Sequence, residues 1–275
     1  MPSILLHAVP ASLYALLGLH FWRSRWHGAA LQPTPGLRPW ERAVMFVAIA
    51  LQGIGIYGDL FPEGGMRFGF GAAITLMLWL ALLFYWIESF YARLEGLQMV
   101  VLPLAAVAAL LPLALPAQHV LPYATSPVFR AHFMMAMLAY SLATLAALHA
   151  LLMAAAERRL HKGRLSRALA NLPPLLTMEA LLFRLILIAF ILLTLTLASG
   201  ILFSETLFGK ALTFDHKTIF AIVSWAIFAA LLAGRHLYGW RGRIALRWTL
   251  AGFVALMLAY VGTRFVLEVI LGRVY

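Results

Sequence analysis

The sequence predicts an all-α fold, a polytopic membrane helix bundle of about eight transmembrane helices forming a single integral membrane domain over residues 1–275. Three observations carry this prediction. Hydrophobic residues make up 64% of the chain and charged residues 11%, where soluble domains hold roughly 45–50% and about 25%. Mean hydropathy is +0.91. The apolar residues also gather into eight runs, each near the roughly 20 residues that a helix needs to cross a bilayer. Such a composition excludes a soluble globular enzyme and a disordered chain.

The runs are 4–22, 42–60, 70–88, 97–116, 128–156, 178–203, 216–234 and 244–271. The first resembles a secretion signal in position, but its arginines follow the apolar stretch instead of preceding it, so it is expected to stay as an anchor. The loops between runs are short and leave no room for a soluble catalytic domain. Among the longer connections, 23–41 carries Pro33, Pro35, Gly36 and Pro39, and 157–177 is charged. Within the latter, segment 157–171 mixes five basic residues with Leu160, Leu165 and Leu169 on one side. It reads as a short amphipathic helix on the inner surface, held by anionic lipid.

Charge sets the orientation. With the N-terminus outside, fourteen Lys and Arg fall in inner segments, among them Arg23, Arg25, Arg158, Arg159, Arg241 and Arg243, and six in outer ones. This obeys the positive-inside rule and places both termini outside. It also accounts for the net charge of +11 through membrane lipid, without nucleic acid.

The chain has no cysteine and nine histidines, which removes thiolate chemistry and leaves imidazole as the available soft ligand. His7, His119, His132 and His216 fall toward the outer surface. His20, His27, His149, His161 and His236 fall toward the inner one. Runs one, five and seven each carry a pair at opposite ends, His7 and His20, His132 and His149, His216 and His236, separated by roughly 20, 25 and 30 Å at helical rise. If those three helices pack together, they present two tiers of imidazoles. The preference of imidazole for the membrane interface accounts for much of the same placement without any ligand. Asp59, Glu63, Glu205 and Asp215 are scattered over loops, and no Gly-x-Ser-x-Gly, P-loop or His-Glu-x-x-His pattern occurs.

Several blocks have a familiar pattern. They are Asn171-Leu-Pro-Pro-Leu175, the stretch from Met178 and Glu179 to Arg184, and the run Thr194-Leu-Thr-Leu-Ala-Ser-Gly200. Phe208-Gly209, Asp215, Lys217 and Trp225 follow, and then Gly239-Trp-Arg-Gly242. Ala131-His132-Phe133 with Leu138, Ala139, Tyr140 and Ser141 belongs with them. Together these resemble the cytochrome c assembly protein family, the CcsA/HemX-like polytopic haem-handling proteins of the bacterial inner membrane, over about 125–265. The resemblance implies an outer haem site with iron held by His132 and His216, and with Asp215 beside them. His7 and His119 are further outer candidates, and His20, His149 and His236 form a possible inner tier. In the family's synthases a tryptophan-rich segment forms the haem platform. Here Phe203, Phe208 and Phe214, with Leu212, stand in its place, and no histidine follows the last span. These departures point to the HemX-like branch, a haem-binding protein that holds or relays non-covalent haem b. The alternative is a non-catalytic accessory or regulatory membrane subunit docked on a transporter or a tetrapyrrole-synthesis enzyme, a role that small-residue faces such as Gly53-Ile-Gly55 and Gly69-Phe-Gly71 suit. A membrane-protein partner is expected in either case. An independent carrier is a weaker fit, because mid-span polar residues are few: Gln52, Thr75, Thr144, Thr194 and Thr196.

Overall fold

The computed structural model describes residues 3–26, 36–62, 65–92, 96–115, 120–121, 124–161, 174–204 and 215–271. The chain is a polytopic helical membrane bundle. Its helices are α1 (Ser3–Phe21), α2 (Pro39–Leu60), α3 (Phe70–Glu88), α4 (Gln98–Ala114), α5 (Pro127–His161), α6 (Leu175–Leu202), α7 (His216–Tyr238) and α8 (Gly242–Met257). Two short strands, β1 (Met66–Arg67) and β2 (Val120–Leu121), pair antiparallel and tie the α2–α3 connection to the α4–α5 connection.

Among the described residues, seven helices are long and apolar enough to cross a membrane; α4, at 17 residues, is shorter. The shortening has a local cause. Pro112 lies in the last turn of α4 and has no N–H to offer the carbonyl of Ala108 four residues back. The Thr75 hydroxyl of α3 takes over that carbonyl at 2.7 Å. Beyond Ala114 the chain leaves helical geometry at Leu115, whose φ is −132° and ψ 72°.

The helices close into two rings. In the first, α1 packs on α2 and α4, and α3 packs on the same two; in the second, α5 packs on α6 and α8, and α7 packs on the same two. α3 against α5 joins the rings. Buried apolar residues run continuously through both, from Tyr14 to Val261. The anticipated grouping of α1, α5 and α7 does not occur. α1 belongs to the first ring, and α5 and α7 occupy opposite corners of the second. The two shared tiers of imidazoles are therefore not formed, because the helices that carry them are neighbours of other helices.

Three other expectations change. α5 continues as helix through His161, so 157–161 extend a spanning helix and do not begin a separate surface one; 162–171 lie outside the described residues. The last span keeps unbroken α-helical geometry to Met257. Leu258–Gly262 and Phe265–Ile270 are π-helical and bracket Thr263 and Arg264. Asp59, anticipated in a loop, lies in the last turn of α2.

Candidate functional site

One end of the second ring gathers the polar groups that matter most. His132, in the second turn of α5, has Nδ1 2.8 Å from Ser199 Oγ near the end of α6. The Ser199 hydroxyl donates its hydrogen to Thr196 O at 3.0 Å. A hydroxyl can both donate and accept, so Ser199 ties the His132 ring to the backbone of α6.

The opposite corner repeats this logic. His216 opens α7 with Nε2 3.0 Å from Thr263 Oγ1, and Thr263 donates to Ala259 O at 3.1 Å. Thr263 thus ties the His216 ring to the last span. The two imidazoles are not bonded to each other. Each is oriented by a hydroxyl that also bonds its own helix, as outer-sphere hydrogen bonds orient ligating histidines.

Aromatic residues stand around this end. Phe133 follows His132 and meets Phe68 edge-on at 4.9 Å; Phe68 lies 5.8 Å from Tyr260, and Phe129 stacks on Phe133 at 6.3 Å. Of the anticipated phenylalanine platform, Phe203 is half-exposed where α6 ends. Phe208 and Phe214 lie outside the described residues, as does His119. The described aromatic wall is thus a different one. Its signal in the sequence is the Phe129/Phe133 pair, one helical turn apart. Two cations adjoin the histidine partners in sequence: Lys217 follows His216, and Arg264 follows Thr263. Arg264 lies 3.4 Å from Glu268 and 5.6 Å from the Tyr260 ring centre.

Asp215 caps α7. Its Oδ1 accepts from the Thr218 backbone N–H at 3.0 Å and from the Thr218 hydroxyl at 3.1 Å. Partial burial alone raises its carboxyl pKa, but those two bonds and the charges of Lys217 and His216 outweigh it and hold the pKa below the usual carboxylate value. The aspartate acts on the helix that carries His216, and its bonded partner is Thr218, not an imidazole.

The remaining histidines separate. His7 is buried in the first ring with Nε2 3.1 Å from Asp59, remote from the outer pair by ring membership. His20 lies 3.1 Å from Glu41, whose other oxygen takes Arg25 at 2.9 Å. His149 is fully buried, with Nε2 3.0 Å from Met178 O. His236 is exposed at the end of α7. Among the described residues no three His, Asp or Glu side chains form a metal-holding group.

At the far end of the second ring the other motif blocks meet. Gly239 terminates α7 with φ +66°, and Trp240 N–H bonds Gly234 O at 3.2 Å. Trp240 lies so close to Gly234 that a Cβ there would sit 2.3 Å from the indole. Glu179 of α6 accepts from Gly242 N–H at 3.3 Å and faces Arg241 at 3.7 Å. The Met178-Glu179 block and the Gly-Trp-Arg-Gly block are thus one contact. Sequence reasoning missed Ser199, Thr263, Glu41 and Glu268; only Ser199 stood inside a recognised block.

Comparison with known proteins agrees with this architecture. The family model described as "Cytochrome C assembly protein" matches residues 38–271. The chain is 29% identical over 249 residues to the inner membrane protein YpjD of Escherichia coli strain K12, covering 87% of this chain and 91% of that protein. It is 36% identical over 88 residues to the cytochrome c biogenesis protein CcsA of Prochlorococcus marinus strain MIT 9215, covering 32% of this chain and 28% of that one.

Proposed function

This chain belongs to the cytochrome c assembly protein family, and from that premise we propose that it holds haem b non-covalently in the bacterial cytoplasmic membrane, as a holding or relay step of cytochrome c biogenesis. His132 and His216 are its iron ligands in this reading. The observation that carries it is the pair of imidazoles at one end of the second ring, each tied through one ring nitrogen to a hydroxyl of a neighbouring span, Ser199 or Thr263. That donor set suits haem, which imidazole ligates and an apolar, aromatic pocket retains. Phe68, Phe129 and Phe133 supply such a wall, and Lys217 and Arg264 are the cations suited to the two propionates. With no cysteine, the chain offers no thiol for covalent attachment of its own. Bound haem would supply iron that imidazole ligates; the chain's own residues orient, neutralise and shield it. Both termini face outward in this reading, which places His132 and His216 on the outer side.

Purification in mild detergent from haem-replete cells, followed by visible spectroscopy, tests the proposal. A Soret band is expected, reduced in His132→Ala and in His216→Ala. No band, and none on adding haem, ends it. The loss of the tryptophan platform, with Phe203, Phe208 and Phe214 in its place, favours a second reading, an accessory subunit of another membrane protein. A deletion phenotype rescued fully by both alanine variants would select that reading.

A further inference from the structure

A cavity of about 220 Å³ lies in the first ring, where α2 ends, α3 begins and α4 stops. Asp59 and Arg67 line it, with Ile56, Pro112 and Leu115 among its apolar walls. Nothing in the haem reading uses it.

The cavity has a negative and a positive side. Asp59 is held by the buried imidazole of His7 at 3.1 Å. α4 directs its C-terminus here, packed so tightly that a Cβ on Gly71 would lie 2.6 Å from Leu115 O. A helix C-terminus carries partial negative charge. The Thr75 hydroxyl, also in the lining, is spent on Ala108 O and competes for no ligand. On the other side, Arg67 is exposed on β1, and its side chain makes no ion pair among the described residues. Depth matters too. At 17 residues, α4 spans about 25 Å, short of the roughly 30 Å hydrocarbon core, so an apolar-walled space at its end lies within reach of lipid headgroups.

We propose that this cavity binds a phosphoethanolamine group, with the phosphate on Arg67 and the primary ammonium on Asp59, and that its source is a membrane phospholipid. Arg matches phosphate oxygens with paired N–H donors. A primary ammonium donates hydrogen bonds to a carboxylate, which a quaternary choline lacks the hydrogens to do.

The test uses the full chain purified in detergent, titrated with short-chain phosphatidylethanolamine, short-chain phosphatidylcholine and free phosphoethanolamine, while the thermal unfolding midpoint is followed. The ethanolamine lipid is expected to raise the midpoint most. Arg67→Gln, at an exposed side chain whose loss leaves folding intact, weakens its apparent affinity about ten-fold or more, as loss of a charge-assisted contact does. Asp59→Asn erases the preference for ethanolamine over choline. If free phosphoethanolamine matches the lipid, the membrane source is overturned and the headgroup chemistry stands. Equal shifts with all three ligands, unchanged in Arg67→Gln, overturn the site altogether. The readout is independent of haem, so failure here leaves the Soret experiment untouched.

Discussion

A histidine becomes a ligand through its neighbour as much as through its own ring. Ser199 and Thr263 each lie within hydrogen-bond distance of both a helix carbonyl and an imidazole, which ties each ring to a neighbouring span. Replacing Ser199 by Ala is expected to leave the fold intact while releasing His132 to rotate. Loss of such an orienting partner typically costs about 10- to 100-fold in metal affinity, and a haem titration of the purified variant measures it. Asp215 shows the same dependence on neighbours. Its pKa lies below the usual carboxylate value in the folded chain, so the stability it contributes is fully present above its unfolded pKa near 3.9 and disappears as pH falls through the lower folded value. Asp215→Ala is expected to destabilise the start of α7 by about 1 kcal/mol at neutral pH. Asp215→Asn is expected to flatten the acid limb of the stability profile. Thermal unfolding between pH 6 and pH 3 reads both. The histidines and this aspartate were legible as candidates in sequence. Their hydroxyl partners were not, because Ser and Thr are common in membrane helices and no local pattern says which one meets a ring 67 residues away.

At the scale of the elements, α1 and α2 are zipped by polar rungs that cross the bundle. His7 meets Asp59, Tyr14 OH donates to Gln52 Oε1 at 2.8 Å, and Arg25 meets Glu41. Seven and then eleven residues separate the rungs on both sides of the seam, with Arg25 in the π-helical turn Trp22–Trp26 that continues α1, so the three rungs follow one antiparallel seam. The innermost rung is buried, with Glu41 1% exposed and also accepting from Arg38 N–H at 2.7 Å. Glu41→Gln leaves Arg25 without its counter-charge and is expected to cost about 3–5 kcal/mol, whereas replacing Arg25 and Glu41 together by apolar residues of similar volume recovers most of that loss. Chemical unfolding in detergent distinguishes the two. Close helix contacts are equally demanding. Gly234→Ala would drive a methyl into the Trp240 indole and uncouple the Gly239-Trp-Arg-Gly242 turn from α7, an effect visible as a shift in tryptophan emission. The periodicity of α1 and α2 was readable as apolar runs. The rungs were not, since Asp59 and Glu41 sit at run ends and read as loop residues until the antiparallel register pairs them.

Across the whole molecule, two four-helix rings share one continuous apolar core, and a carboxylate from the last span fastens the second ring to the first. Glu268 Oε2 accepts from Phe70 N–H at 2.7 Å, at the start of α3, where a negative group also complements the helix dipole. The outward-facing termini proposed from the charge distribution are directly measurable, because the chain has no cysteine. A single Val120→Cys is expected to react with an impermeant maleimide in intact cells, and Tyr91→Cys, at the other end, only after lysis. The reverse pattern would invert the assigned topology.

Fold class and span count, to within the short α4, were written in composition and in runs of apolar residues, because burying a backbone in lipid demands long uninterrupted helices whatever their partners. Which helices neighbour one another was decided only in three dimensions. Lipid-facing and core-facing surfaces are both apolar, so hydrophobic pattern cannot tell a helix its partner. That choice separated His7 and His20 from the second ring, set His132 and His216 at opposite corners of one end, and supplied Ser199 and Thr263 to orient them.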